Sequence, residues 1–363
     1  MSYTKIPDTE PDTASIDVAL PKKESGIRRI VKAQAFQILL VLVVIGIVFS
    51  ALAPDTFAQL SNLRLIVQNA SILAIIGVGM TFVIVTAGID LSVGSILVFS
   101  GVVSAMAMRA IGGDGWGVAT IGILVAIVSG LTWGIINGLL IAKAKVPPLI
   151  VTLGSMGMAV GFAQILTGGI DIREVPAVLS EVIGYGNVFG DVPVLSVIAL
   201  VVVVLGAVVL HYTRFGRYTY AIGSSEEATR RVGVKVDRHL IKVYALAGAL
   251  SGIAGILTLA QFNTTAIAGQ STTNLNVIAA VVIGGTSLFG GIGTIFGTVV
   301  GLFIPAVLQN GFVITGVEPF WQEVAVGAVL IGAVYVDQAR RASGLRGGKP
   351  HSLWRRFASG KSK

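Results

Sequence analysis

The chain contains 363 residues, of which 54% are hydrophobic and only 12% are charged. Soluble domains carry about 25% charged residues, so the composition excludes an ordinary soluble protein and predicts an all-α polytopic membrane protein. The absence of cysteine excludes disulfides and thiolate metal sites. The net charge of +8 does not indicate nucleic-acid binding, because the basic residues lie in the two ends and in short polar loops, as in membrane-flanking segments.

Three regions follow from the hydrophobicity pattern. Residues 1–37 are polar and predict a cytoplasmic N-terminal tail, too long to be the leader of a cleavable signal peptide. Residues 38–336 form the predicted transmembrane domain, and residues 337–363 a basic cytoplasmic C-terminal tail.

About ten segments of the transmembrane domain are long enough to cross the roughly 30 Å of hydrocarbon. They cover residues 38–53, 64–88, 92–110, 117–142, 148–167, 194–211, 243–262, 274–289, 293–312 and 320–336. An even number places both ends on one side. If that side is cytoplasmic, all of the 26 Lys and Arg residues except Arg64, Arg109 and Arg173 lie in cytoplasmic segments, as the positive-inside rule requires.

The largest predicted outer segment, residues 167–193, is mainly acidic. It is either a docking surface or a plain connecting loop. Its acidic residues are Asp171, Glu174, Glu181 and Asp191.

Glycines at four-residue spacing recur within the spans, and small residues one turn apart let helices approach closely in lipid. They are Gly130, Gly134 and Gly138; Gly293, Gly297 and Gly301; Gly157 and Gly161; and Gly248 and Gly252. A dense helical bundle is therefore predicted. Residues 88–103 also align without gaps with residues 285–300. This similarity is an internal repeat or a coincidence in glycine-rich sequence, and the same orientation predicted for both copies favours coincidence.

One acidic residue, Asp90, lies where the second span meets the third. Asp90 or Ser92 is expected to cap the third span, although an acidic residue so close to hydrocarbon could instead contact a translocated solute. Neutral amides within the spans would suit a hydroxyl-rich solute, but they would equally serve hydrogen bonds between helices. The candidate pathway residues are Asp90, Ser92, Gln68, Asn69, Asn137 and Gln164.

A polar stretch, residues 223–242, interrupts the apolar sequence. Ser224 and Glu227 have the spacing of a capping box, and Gly233 can end the helix in the left-handed conformation. A helix of about two turns is too short to be stable alone. The stretch is either a surface presented to a soluble partner or an ordinary polar loop.

Signatures of enzymes do not occur: no phosphate-binding G-x-x-x-x-G-K-[ST], no H-E-x-x-H and no G-x-S-x-G is present. No catalytic residue, cofactor or metal site is predicted. If the chain transports a solute, the energy must therefore come from a partner or from an ion gradient. The centres of the spans carry no ionisable residues, which disfavours the alternative, an ion-coupled secondary carrier or channel for a small polar solute.

Three segments carry a resemblance to a known family. They are VGMTFVIVTAGIDLSVGSIL (residues 78–97), TRFGRYTYAIGSSEEATRRVGV (residues 213–234) and IAAVVIGGTSLFGGIGTIFGTVVG (residues 278–301). Over residues 36–337 the chain resembles the membrane-spanning permease subunit of bacterial ABC importers for sugars of the ribose, xylose and galactose type. Branched-chain amino-acid permeases are more distantly similar.

The resemblance implies a bacterial inner or plasma membrane protein that translocates a monosaccharide or related polyol inward. The implied partners are a second permease chain in a homodimer, an extracellular or periplasmic sugar-binding protein, a cytoplasmic ATP-binding cassette subunit that hydrolyses ATP, and membrane lipid. The family's ATPase-docking loop corresponds here to Ser224, Glu226, Glu227, Ala228, Arg230, Arg231 and Gly233. Glu226 to Thr229 departs from the alanine-rich sequence of many relatives.

Overall fold

The computed structural model describes residues 34–268 and 272–318, together with scattered residues between 320 and 338. The N-terminal tail up to residue 33, nearly all of the C-terminal tail and much of the tenth predicted span lie outside the described residues.

The described chain is almost entirely helical. Its α-helices are α1 (Gln34–Leu52), α2 (Leu60–Val85), α3 (Val93–Ile111), α4 (Trp116–Ala142), α5 (Pro148–Thr167), α6 (Val194–Tyr212), α7 (Arg214–Ser224), α8 (Glu226–Arg231), α9 (Val236–Phe262), α10 (Thr273–Ile283) and α11 (Ile295–Ile314).

Seven of these helices, α2 to α6, α9 and α11, are long and apolar enough to cross a membrane. The predicted count of ten is not confirmed. The apolar part of α1, Ile38–Leu52, and helix α10 are shorter. The predicted span 274–289 is wrong at its end, because residues 284–294 form a glycine-rich turn in which Gly285, Gly290 and Gly291 have positive φ.

Ion pairs show which helix ends lie together. Lys145, just after α4, donates to Asp237 at the start of α9 with an Nζ–Oδ1 distance of 3.0 Å. At the other end of the bundle, Arg109 of α3 pairs with Glu174 at 3.0 Å. We call the end that carries Lys143, Lys145 and residues 214–242 the basic face, and the opposite end, with residues 168–193, the acidic face.

Helices α4 and α9 pack closely against each other. A Cβ on Gly134 would lie 2.9 Å from the Cα of Ala245, and a Cβ on Gly138 would lie 2.7 Å from the Cα of Ile241. The prediction that these glycines allow close approach is confirmed. It is not confirmed for Gly157 and Gly161 of α5, because no atom of the described residues lies within 4 Å of a Cβ built on either.

The connection between α5 and α6 has structure of its own. It contains a π-helical turn, Leu179–Gly184, and a short antiparallel hairpin of β1 (Asn187–Val188) and β2 (Val192–Pro193). Asp171 Oδ1 accepts hydrogen bonds from Thr265 Oγ1 and the N–H of Ile267, both at 2.9 Å. These bonds fasten the connection to the chain that follows α9.

Candidate functional site

The short helix α8 projects at the basic face, and Ser225 caps its start. Ser225 is extended, with φ −163°, and its Oγ accepts a hydrogen bond from the N–H of Ala228 at 3.2 Å. The prediction that Ser224 is the cap is therefore wrong by one residue. Ser224 is still helical as the last residue of α7, and its Oγ donates to the carbonyl of Tyr220 at 2.9 Å.

Gly233 ends α8 as predicted. Its φ is +86°, and its N–H donates to the carbonyl of Arg230 at 3.0 Å. Only a residue tolerant of the left-handed region can take this position without strain. Helix α9 begins three residues later, at Val236, so α8 is held in a sharp turn.

Charged side chains fix α8 to its neighbours. Arg230 donates to Glu226 at 2.8 Å within the helix and to Asp237 at the start of α9. Both hydrogen bonds raise the pKa of the Arg230 guanidinium above its ordinary value, and the bond to Asp237 contributes most. Because Lys145 also binds Asp237, one carboxylate joins α8, α9 and the α4–α5 link.

The remaining pair in α8 lies in solvent. Glu227 does not reach back to the helix start, as a capping box would require, and its carboxylate instead accepts from Arg231 at 2.5 Å. Both side chains are 77% exposed, and exposed pairs of this kind contribute little stability. They are free to contact another protein.

Next to α8, the end of α7 contacts two turns, the one after α2 and the one before α11. The N–H of Gly291 donates to the carbonyl oxygen of Val85 at 2.9 Å. A Cβ on Gly223 would overlap that carbonyl oxygen and lie 2.5 Å from the nitrogen of Gly291. Tyr220 Oη also donates to the carbonyl of Gly293 at 2.6 Å. We call residues 85–88, 223–224 and 290–293 the three-way junction.

The two similar segments noted in the sequence, 88–103 and 285–300, both begin in turns of this junction. Gly290 lies against Ala87, and a Cβ on Gly290 would be 2.8 Å from the Cβ of Ala87. Each turn precedes a helix, α3 in one case and α11 in the other. The similarity thus coincides with two turns that pack against each other at the basic face.

Asp90 lies buried in the turn between α2 and α3, next to the junction. Its Oδ1 accepts hydrogen bonds from the N–H of Ser92 at 2.8 Å and from Ser92 Oγ at 2.5 Å. Ser92 precedes α3, but its side chain makes no capping hydrogen bond. The expectation that the Ser92 side chain caps the third span is therefore wrong, whereas Asp90 does accept a hydrogen bond from a free backbone N–H at the helix start, that of Ser92. The carboxylate stabilises the turn itself.

The hydrogen bonds continue from Ser92 into two further helices. Asn137 Nδ2 of α4 donates to Ser92 Oγ at 2.9 Å, and Ser155 Oγ of α5 donates to Asn137 Oδ1 at 2.5 Å. All four side chains are buried. A buried, fully connected polar chain of this kind fixes the relative positions of the elements that it joins.

The comparisons with known proteins are consistent with this architecture. Residues 62–334 match the family described as the branched-chain amino acid transport system, permease component. The chain belongs to this permease family. The ribose import permease protein of Escherichia coli strain K12 is 37% identical over 325 residues, which cover 87% of this chain and 98% of the relative.

Two further relatives extend the comparison. The ribose import permease protein of Bacillus subtilis strain 168 is 40% identical over 303 residues, covering 83% of this chain and 92% of the relative. The fructose import permease protein of Rhizobium meliloti is 35% identical over 306 residues, covering 83% and 84%. No solved structure matches the chain.

The predicted pathway residues do not form one site in this permease. Asp90, Ser92 and Asn137 lie together, whereas Asn69 Oδ1 accepts from Gln261 Nε2 of α9 at 2.9 Å. Gln68 is partly buried and Gln164 is exposed on α5. The structure therefore separates a buried polar chain near the basic face from amides nearer the acidic face.

Several residues of the basic face were not singled out from the sequence. Ser225 could have been found, since it fits an N-cap as well as its neighbour does. Tyr220, Ser155 and Asp237 could not, because their partners lie on other helices and depend on tertiary packing.

Proposed function

We propose that this permease is the membrane-spanning subunit of an ATP-driven importer that carries a monosaccharide into the cell. It is a multi-pass protein of the bacterial inner membrane and not an enzyme. Relatives at 32–40% identity are named as import or transport permeases for ribose, fructose and D-allose. The seven apolar helices supply the membrane-spanning part.

The observation that carries the coupling mechanism is helix α8 with its exposed surface. Val232, directly after the helix, is 78% exposed, and Glu227 and Arg231 lie beside it in solvent. An apolar side chain with charges around it is typical of a protein contact. We assign this surface to a cytoplasmic ATP-binding subunit, so the basic face is cytoplasmic, in keeping with the positive-inside rule.

Force applied to α8 would reach the spans through the three-way junction. Gly223 lies two residues before Ser225, the cap of α8, and contacts both Val85 at the end of α2 and Gly291 before α11. Because these contacts involve backbone atoms, a displacement of α7 must displace both turns. Rotation of α2, α3 and α11 would then open the pathway alternately to the two sides.

The other partners follow from the two remaining surfaces. A sugar-binding protein would dock at the acidic face, where residues 168–193 are folded and fastened by Asp171. The membrane-facing helices would contact lipid and a second copy of the permease, as expected for a homodimer.

Uptake by sealed vesicles tests the proposal. Vesicles containing the permease, its ATP-binding subunit and its binding protein should accumulate radiolabelled D-ribose, D-fructose or D-allose only with ATP. Omission of the ATP-binding subunit is the matched control and should abolish uptake. Accumulation that persists without this subunit and stops with a protonophore would instead indicate an ion-coupled carrier.

A further inference from the structure

A cavity of about 470 Å³ lies at the basic face, next to α8. Its walls come from residues 86–88 after α2, Ile141 of α4 with the α4–α5 link at 145–148, residues 222–226 where α7 meets α8, and Leu240 and Tyr244 of α9. The volume is in the range of small-molecule sites. The cavity therefore lies between the start of α8 and the helices that carry it.

One residue of the lining, Tyr244, is buried, and its hydroxyl has no partner among the described residues. Only glycine fits in front of it, because a Cβ on Gly88 would lie 2.5 Å from this oxygen. A buried unpaired hydroxyl is unfavourable, and a ligand hydroxyl bound in the cavity beside Gly88 would satisfy it.

The charged residues of the cavity are already neutralised. Lys145 binds Asp237, and Glu226 accepts from Arg230. The rest of the lining combines hydroxyls with apolar surface, from Thr86, Ser224, Ser225, Ile222, Leu240 and Pro147. These walls suit a neutral molecule that offers both hydroxyl groups and C–H surfaces, which is the chemistry of a monosaccharide.

We propose that this cavity binds a monosaccharide from the cytoplasm and that the bound sugar restrains α8. The inference rests on the proposed function, since the imported sugar is the one that accumulates at this face. Ser225 and Glu226 on one wall belong to the α8 side, and Tyr244 and Leu240 on the other belong to α9. A ligand that contacts both walls favours the arrangement in which they are close. Import then slows as sugar accumulates.

Inside-out vesicles with the complete importer allow a direct test, because their cytoplasmic face is outside. Binding protein and sugar are sealed inside, ATP is added outside, and ATP hydrolysis is measured while D-ribose, D-fructose or D-allose is added outside. Hydrolysis should fall with outside sugar. Tyr244→Phe should raise the half-inhibitory concentration about tenfold, the effect of one lost hydrogen bond. Val146→Trp, which fills the cavity from the α4–α5 link, should abolish inhibition.

Tyr212→Phe is the matched control, because it removes a hydroxyl from a tyrosine that is 79% exposed, and its inhibition should equal that of the unchanged chain. The proposal is overturned if outside sugar does not slow hydrolysis, or if Tyr244→Phe is inhibited as strongly as the unchanged chain. If no sugar is transported at all, the proposed function fails separately. Equilibrium dialysis of the permease complex against radiolabelled D-ribose then tests sugar binding in the cavity. We expect binding that Tyr244→Phe weakens, and the absence of such binding would contradict the proposal.

Discussion

The backbone N–H of Gly291 donates a hydrogen bond to the carbonyl oxygen of Val85 at 2.9 Å. Val85 ends α2, and Gly291 lies in the turn before α11, so this bond joins two spans that are far apart in sequence. Gly223 of α7 is packed against both atoms. A helix too short to be stable alone is thereby placed next to a rigid backbone contact, through which movements of α8 would reach the spans in the proposed mechanism.

Gly223→Ala tests this contact. The new methyl group would overlap the carbonyl oxygen of Val85, and overpacking of this kind costs about 1–3 kcal/mol. We expect the junction to separate and ATP-dependent uptake to fall by about tenfold or more, with the protein still inserted. Gly115→Ala is the control, because no atom of the described residues lies within 4 Å of a Cβ at Gly115. Equal uptake by the two variants would contradict the mechanism.

Gly233→Pro tests the end of α8. Proline fixes φ near −65°, whereas Gly233 has φ +86° and donates a hydrogen bond through its N–H. Uptake and sugar-stimulated ATP hydrolysis should both be lost, and Ala228→Pro, which removes the N–H bound by Ser225, should have the same effect. Gly233→Asn should retain activity, because asparagine tolerates the left-handed region. Normal uptake by either proline variant would exclude a coupling role for α8.

The sequence predicted spans best where strong breakers surround them. The predicted segment 148–167 coincides with α5, because Pro147 and Pro148 stand at its start and Gly168 and Gly169 follow it. The predicted span 274–289 was wrong, because Gly284 and Gly285 end α10 inside an apolar run. The hydrogen bonds that run from Ser92 to Asn137 and on to Ser155 depend on how three helices pack. Local sequence pattern carries no information about that packing.

Ser225→Ala and Ser224→Ala distinguish the two adjacent serines. Loss of an N-cap costs about 1 kcal/mol, so Ser225→Ala should weaken α8 and lower sugar-stimulated ATP hydrolysis about fivefold. Ser224→Ala leaves the cap intact and should hydrolyse ATP at nearly the unchanged rate when no sugar is present on the cytoplasmic side. The measurement is ATP hydrolysis by the complex at matched protein amounts. A larger loss in Ser224→Ala than in Ser225→Ala would show that Ser224 is the N-cap of α8.

Asp90→Asn separates a structural role from a pathway role. An asparagine oxygen can still accept from Ser92, so we expect a modest loss of yield and near-normal uptake per molecule. Asp90→Ala leaves Ser92 without its acceptor, and loss of a buried hydrogen bond to a charged group costs about 1.5–3 kcal/mol, so its yield should fall much further. Yield and uptake are measured in the same membranes, with Asp114→Asn, on the exposed connection between α3 and α4, as the control. An Asp90→Asn protein that is fully expressed but inactive would show that the charge of Asp90 contacts the translocated solute, because the turn would then be intact while transport is not.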